Sequence, residues 1–227
     1  MSSVQPRVEP RFPDPREPAA VANPHSVTRL FEEGLCRYTG APYAVAVTSC
    51  TMALLLAVAW QLRGERPLAW LQRPRIDIPK RTYVGVPMSI IHAGGRPTFR
   101  DEIWRGEYQL RQLPVWDCAR RFTSGMYRAG EFQCVSFHAT KILHDTQGGA
   151  ILHDCDVADK WFRKARFDGR TEGVAPIDDT FDTIGYHAYL SPDVSARLLW
   201  QLSSLPRYND DLPCDQYPDL SKHEVFR

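Results

Sequence analysis

Short apolar segments of strand length alternate with longer segments of helical character along most of this chain, and that alternation restricts the fold more than any other feature. Ala44-Val45-Ala46-Val47 reads as a buried strand, Thr48-Ser49-Cys50-Thr51 as a polar turn, and residues 52–62 as a strongly apolar helix. The rhythm continues. Strands are expected at residues 75–78, 97–100, 113–116, 132–136 and 150–153, and helices at 26–37, 84–93, 156–166 and 192–203. Ser26 is the expected cap of the first helix and Gly40 its stop, while Ser191-Pro192-Asp193 marks the start of the last. Such a sequence predicts an α/β domain with a mostly parallel sheet flanked by helices. The Pro-rich residues 1–24 read as an N-terminal arm, 25–206 as the domain, and 207–227 as a C-terminal tail without periodicity.

The net charge of +1 leaves no broad electrostatic case for nucleic acid or an acidic membrane surface. The apolar run at residues 53–60 is too short to span a bilayer, and Arg63 and Glu65 follow it. The first residues carry Arg7, Glu9, Arg11 and several prolines rather than a signal-peptide core. Six cysteines are scattered without a Cys-x-x-Cys pair, which speaks against a zinc site and for a reducing cytoplasm.

In open α/β sheets ligands gather beyond the carboxyl ends of the strands. Ser49, Asp117 and Ser136 all follow predicted strands, so they are expected to converge on one crevice. Cys134-Val135-Ser136-Phe137-His138-Ala139-Thr140-Lys141 places a Ser at a strand end and a Lys five residues on, and Gly148-Gly149 then opens the next strand. That arrangement suits a Schiff-base lysine for pyridoxal 5'-phosphate (PLP), or for its amine form PMP. The cofactor needs an imine lysine, a carboxylate for its pyridine nitrogen, a donor-rich turn for its phosphate, and a ring against one face. Lys141, Asp117, the turn Ser49-Cys50-Thr51 together with Ser136, and Tyr83 are the respective candidates. The turn opens a helix, where free N–H groups and the helix dipole favour an anion. Taken singly, each has a plainer role: Asp117, Ser49 or Thr51 as helix caps, Tyr83 as packing.

Several segments together resemble one family. Phe31-Glu32-Glu33-Gly34-Leu35-Cys36-Arg37-Tyr38-Thr39-Gly40-Ala41 is similar to the opening of the DegT/DnrJ/EryC1/StrS sugar aminotransferases. The segment from Ala44 to Leu54 is similar to the strand and phosphate turn that follow there. Trp116-Asp117-Cys118-Ala119 resembles the family's Glu-Asp-Ala-Ala segment, and Ser136-Phe137-His138-Ala139-Thr140-Lys141 its Ser-Phe-His/Asn-x-x-Lys segment. Gly185-Tyr186-His187-Ala188-Tyr189-Leu190-Ser191 lies where the family has Gly-Tyr-Asn-Tyr-Arg-Met-Ser. Order and spacing agree over about residues 26–205.

The resemblance implies the large domain of a PLP fold-type I (aspartate aminotransferase-like) enzyme in a homodimer with a shared active site. The implied reaction moves an amino group, from glutamate, to a nucleotide-linked keto sugar. Lys141 would hold the cofactor and then act as acid and base, and Asp117 would hold the pyridinium proton. Three site positions depart from the family. Cys50 replaces a Gly of the phosphate turn, adding a side chain where backbone approach is close. Arg120 replaces a Gln or His near the cofactor oxygen. His187 replaces an Asn that reaches the neighbouring subunit's phosphate. The family's C-terminal small domain is missing or minimal. Two other readings stand beside the aminotransferase: a PLP enzyme of another reaction type, such as a dehydratase with His138 as a second proton carrier, and a non-catalytic subunit of a larger partner.

Overall fold

The computed structural model describes residues 23–63, 73–214 and 217–226. Most of the expected N-terminal arm therefore lies outside the described residues. Among the described residues five α-helices and seven strands follow one another: α1 (Ser26–Thr39), β1 (Tyr43–Val47), α2 (Cys50–Leu62), β2 (Arg75–Pro79), α3 (Gly85–His92), β3 (Arg96–Arg100), β4 (Tyr108–Leu110), β5 (Val115–Asp117), β6 (Phe132–Ser136), β7 (Gly149–His153), α4 (Asp156–Ala165) and α5 (Pro192–Ser204). None of these helices is long and apolar enough to cross a membrane.

The main sheet has the order β1-β7-β6-β5-β4, and β2 and β3 form a separate parallel pair. The α/β architecture is as expected, but the sheet is mixed rather than mostly parallel. Within the main sheet only β5 and β6 are parallel; β1–β7, β6–β7 and β4–β5 are antiparallel. The cause is connection length. A parallel crossover needs a dozen or more residues, which 118–131 supply between β5 and β6. Only residues 111–114 separate β4 from β5, so these strands can join only as a hairpin. Strand β4 itself was not expected from the sequence.

Both faces of the sheet are covered, and this explains the continuous apolar strands. On β1, Val45 and Val47 face a core shared with Leu54 and Val58 of α2, Ile78 of β2 and Phe162 of α4. Ala44 and Ala46 face the opposite core, with Phe31 and Leu35 of α1 and Leu198 of α5. Gly34 lets α1 and α5 approach closely: a Cβ there would lie 3.1 Å from Leu202 Cδ2. Helix α1 ends as expected at Gly40, whose φ of +83° allows its N–H to cap the Cys36 carbonyl. Ser26 is not the cap expected of it. It is the first helical residue, His25 stands at the cap position, and no side chain caps this end.

A buried ion network ties the layers together. Arg166 donates to the Ala46 carbonyl at 2.6 Å and pairs with Glu32. Glu32 also accepts from the Ala46 N–H at 2.9 Å and from Arg163 at 2.7 Å. Burial pushes the Glu32 carboxyl up, and the Arg166 charge beside it opposes the rise.

Beyond residue 206 the described residues include two short 3-10 turns, Leu220–Lys222 and Glu224–Phe226. Asn209 Nδ2 fastens this tail, its two hydrogens shared among Tyr38 Oη, the Phe122 carbonyl and the Pro206 carbonyl at 2.8–3.1 Å. Farther along, Asp211 accepts from Arg121 at 2.8 Å, and the Arg81 guanidinium donates to the Tyr217 carbonyl at 3.2 Å.

Candidate active site

A cavity of about 260 Å³ opens where β1, β5 and β6 end. Its walls contain Ser49, Cys50 and Thr51, Tyr83, Asp117 and Arg120, and Ser136, His138 and Lys141. Every site residue expected from the sequence except His187 is therefore gathered at one place, from four distant stretches of chain.

Ser49 is the N-cap of α2, and its hydroxyl accepts from the Met52 N–H at 3.1 Å. The capping role is thus real. It leaves the Cys50 and Thr51 N–H groups, which have no intrahelical acceptor, at the positive end of the helix. Gly149 makes this turn possible from the opposite side. A Cβ on Gly149 would lie 2.4 Å from Cys50 N and 2.5 Å from the Ser49 carbonyl carbon, so β7 can pass beneath the turn only with glycine there. Cys50 does not crowd the turn. Its thiol is buried, 3.5 Å from the Cys134 carbonyl and 4.0 Å from Asp117 Oδ1, and burial followed by the Asp117 charge pushes the thiol well up.

Asp117 ends β5 and is only 3% exposed. Its Oδ1 accepts from the Ala119 N–H at 2.9 Å and its Oδ2 from Tyr108 Oη at 2.7 Å. Burial lifts its carboxyl above the usual range, against the Tyr108 and Ala119 hydrogen bonds and the charges of Lys141 and Arg120. A cation brought to this carboxylate would act against that rise.

Lys141 sits in the loop 137–148 between antiparallel strands β6 and β7. The loop is closed at its base by Phe137 N–H donating to the Gly148 carbonyl at 2.9 Å, and its Lys141 N–H donates to the His138 carbonyl at 2.9 Å. Gly148 has a φ of +133°, which few other residues adopt. Asp145 anchors the loop to α5 through a two-pronged contact with Arg197, at 2.7 and 3.0 Å. Ser136 Oγ accepts from the His138 N–H at 3.4 Å, and the His138 ring lies 3.3 Å from Thr140 Oγ1. Tyr83 is 54% exposed at the cavity wall, next to Gly85, where a Cβ would meet its ring at 2.8 Å.

His187 lies elsewhere. It is exposed, pairs with Asp168 at 2.8 Å and packs edge-on against Tyr189. It is not among the residues lining this cavity.

The sequence reading missed Thr82, Trp104, Gln147 and Tyr217, which line the cavity, and Tyr108, which lies behind Asp117. Tyr217 stacks on Trp104 at 6.4 Å and sits under the Arg120 guanidinium at 5.6 Å, so the tail supplies part of the wall. An aperiodic tail gives no sign of where it will lie. Tyr108 sits on a three-residue strand too short for any periodic signal.

Comparison with known proteins agrees with this architecture. Residues 21–111 match the DegT/DnrJ/EryC1/StrS aminotransferase family. The matched stretch holds the α2 turn and Tyr83, whereas Asp117 and Lys141 lie beyond it. Similar solved folds cover more of the chain. AtS13 from Actinomadura melliaura superposes with a TM-score of 0.67 and 18% identity, covering 79% of this chain and 60% of that one. PseC from Helicobacter pylori, an aminotransferase involved in pseudoaminic acid biosynthesis, gives 0.65 and 18%, covering 88% and 66%. NtdA from Bacillus subtilis, with bound cofactor PMP, gives 0.60 and 16%, covering 79% and 48%. The chain spans less than two thirds of each of these structures. No curated protein sequence matches significantly.

Proposed function

We propose that this chain is the PLP-binding large domain, residues 25–206, of an aminotransferase that moves an amino group, from glutamate, to a nucleotide-linked keto sugar. The observation that carries the reading is the convergence of the α2 turn, Asp117 and Lys141 on one cavity from separate parts of the chain. The lining offers the cofactor suitable donors: Cys50 and Thr51 stand at the start of α2, where N–H groups lack intrahelical acceptors, no side chain on residue 149 lies beneath them, and a buried carboxylate stands at the end of β5. The family match over residues 21–111 and the PMP bound in NtdA support the same choice.

PLP, when bound, supplies an electron sink that stabilises negative charge at the substrate carbon. The chain's own residues do the rest. Lys141 Nζ would hold the cofactor and serve as the acid and base that moves a proton at the substrate carbon. Asp117 would keep the ring nitrogen protonated. The Ser49-Cys50-Thr51 turn, with the Ser136 hydroxyl, would hold the phosphate, and Tyr83 would cover one face. Arg120 and His138, which also line the cavity, would complete the cofactor's surroundings. His187, which is exposed and does not line this cavity, would reach the phosphate of a second copy in a homodimer.

An absorbance scan tests the reading. Protein incubated with PLP gains the visible band of a lysine-bound cofactor, Lys141→Ala lacks it, and glutamate bleaches it. A protein that takes up no PLP overturns the cofactor assignment, and a band indifferent to every amino donor overturns the transfer reaction.

A further inference from the structure

Asp117 is held by a group that the proposed reaction does not itself use. Tyr108 is 2% exposed, and its Oη lies 2.7 Å from Asp117 Oδ2. Thr82 Oγ1 lies 2.6 Å behind it, and Thr82 is itself buried. The direction of this chain follows from valence. An ionised carboxylate only accepts, so Tyr108 donates to Asp117, and its oxygen then accepts the Thr82 hydroxyl proton. The β4–β5 register enforces the meeting, because Tyr108 and Asp117 are direct partners across the hairpin. Trp104 packs edge-on against the Tyr108 ring at 4.7 Å and fixes its tilt.

The surroundings give this contact its weight. Cys50 and Cys134 face Asp117 as buried thiols from α2 and β6, and Cys118 adjoins it. Burial pushes all three thiols well up, so none of them offers a charge. Lys141 and Arg120 are the cations near the carboxylate. The Ala119 N–H and, at 4.0 Å, the Cys50 thiol donate to Oδ1, and Tyr108 donates to Oδ2.

We propose that Tyr108 is a positioning residue that, with Thr82 behind it, orients the Asp117 carboxylate and maintains it in the ionised form. This rests on the reading of the cavity as a PLP site, where that carboxylate meets the ring nitrogen. A hydrogen bond to a charged acceptor at a dry position is strong enough to change affinity about tenfold or more.

The test compares wild type with Tyr108→Phe, which keeps the ring, and Thr82→Val, with Asp117→Asn as the assignment control. In the cofactor-free protein, the Asp117 carboxyl is titrated by carbon NMR on 13C-labelled aspartate. The expected midpoint is higher in Tyr108→Phe and raised by a smaller amount in Thr82→Val. With PLP added, Tyr108→Phe weakens the dissociation constant about tenfold. Equal midpoints in a folded Tyr108→Phe overturn the proposal, since a merely structural role lowers stability without moving the titration. If wild type takes up no PLP, the cofactor reading fails, while the cofactor-free titration still decides whether Tyr108 controls Asp117.

Discussion

The backbone of Gly149 runs so close beneath Cys50 that a methyl group on residue 149 would sit 2.4 Å from the Cys50 nitrogen. That nitrogen belongs to the turn proposed to hold the phosphate, so a substitution in β7 acts on the anion site without touching a ligand. Gly149→Ala is expected to cost about 1–3 kcal/mol through overpacking. It should also weaken PLP uptake more than an equally destabilising change elsewhere. Paired denaturation curves and cofactor titrations measure the two effects; unchanged PLP affinity in a destabilised variant would separate the turn from the cofactor.

Arg197 controls the loop of Lys141 from a distance. Its two contacts hold the Asp145 carboxyl down at about 2, chiefly through the hydrogen bonds from the guanidinium. The sign follows from linkage: a depressed carboxyl binds fewer protons in the folded chain than in the unfolded one. Its contribution is complete above the unfolded value of about 3.9 and is lost as pH falls towards about 2. Arg197→Ala should therefore move the acid-unfolding midpoint to higher pH, as followed by circular dichroism. It should also speed amide exchange in residues 137–148. An unshifted midpoint would show that the pair carries no acid stability.

Removing Arg166 takes the most deeply buried guanidinium from the Glu32 carboxylate and leaves it Arg163, Arg29 and the Ala46 N–H. Arg166→Met is expected to cost less than the roughly 3–5 kcal/mol of a buried pair broken outright, because these contacts remain. The double variant Arg166→Met/Glu32→Met should recover much of that loss. Thermal melts of the three proteins decide; a double variant no better than the single one would mean that the network serves packing rather than charge balance.

The tail depends on Asn209, whose two amide hydrogens serve three nearby acceptors. Asn209→Ala should remove about 0.5–1.5 kcal/mol for each bond lost and release residues 207–214 to faster amide exchange. If Tyr217 is part of the substrate wall, the half-saturating glutamate concentration should rise while the PLP band stays constant.

Much of this was legible in the sequence because the decisive signals are local. Ala44-Val45-Ala46-Val47 is apolar at every position, as a strand covered on both faces must be, and Gly40 stops α1 through its own backbone freedom. Ser49, Asp117 and Ser136 lie at the ends of strands, and a sheet brings such ends together whatever their separation in the chain. What stayed hidden depends on contacts between segments. The direction of β4 depends on the shortness of residues 111–114, the close approach of β7 to the α2 turn shows only in three dimensions, and Tyr217 reaches the cavity on a segment with no periodic pattern. Ser26 shows the opposite failure: a residue type suited to capping stands one position inside the helix it was expected to cap.

The hairpin of β4 and β5 makes Tyr108 and Asp117 partners across residues 111–114. Gln112, at a φ of +76°, keeps that turn tight, and its side chain bonds both the N–H and the carboxylate of Asp77 on β2. Successive residues of a strand face opposite ways, so one residue gained or lost in the turn would swing the Tyr108 hydroxyl to the far face of the sheet. The spacing between these two residues is thus part of the site's specification. A change in chain length alone would disconnect them, with every side chain named here still present.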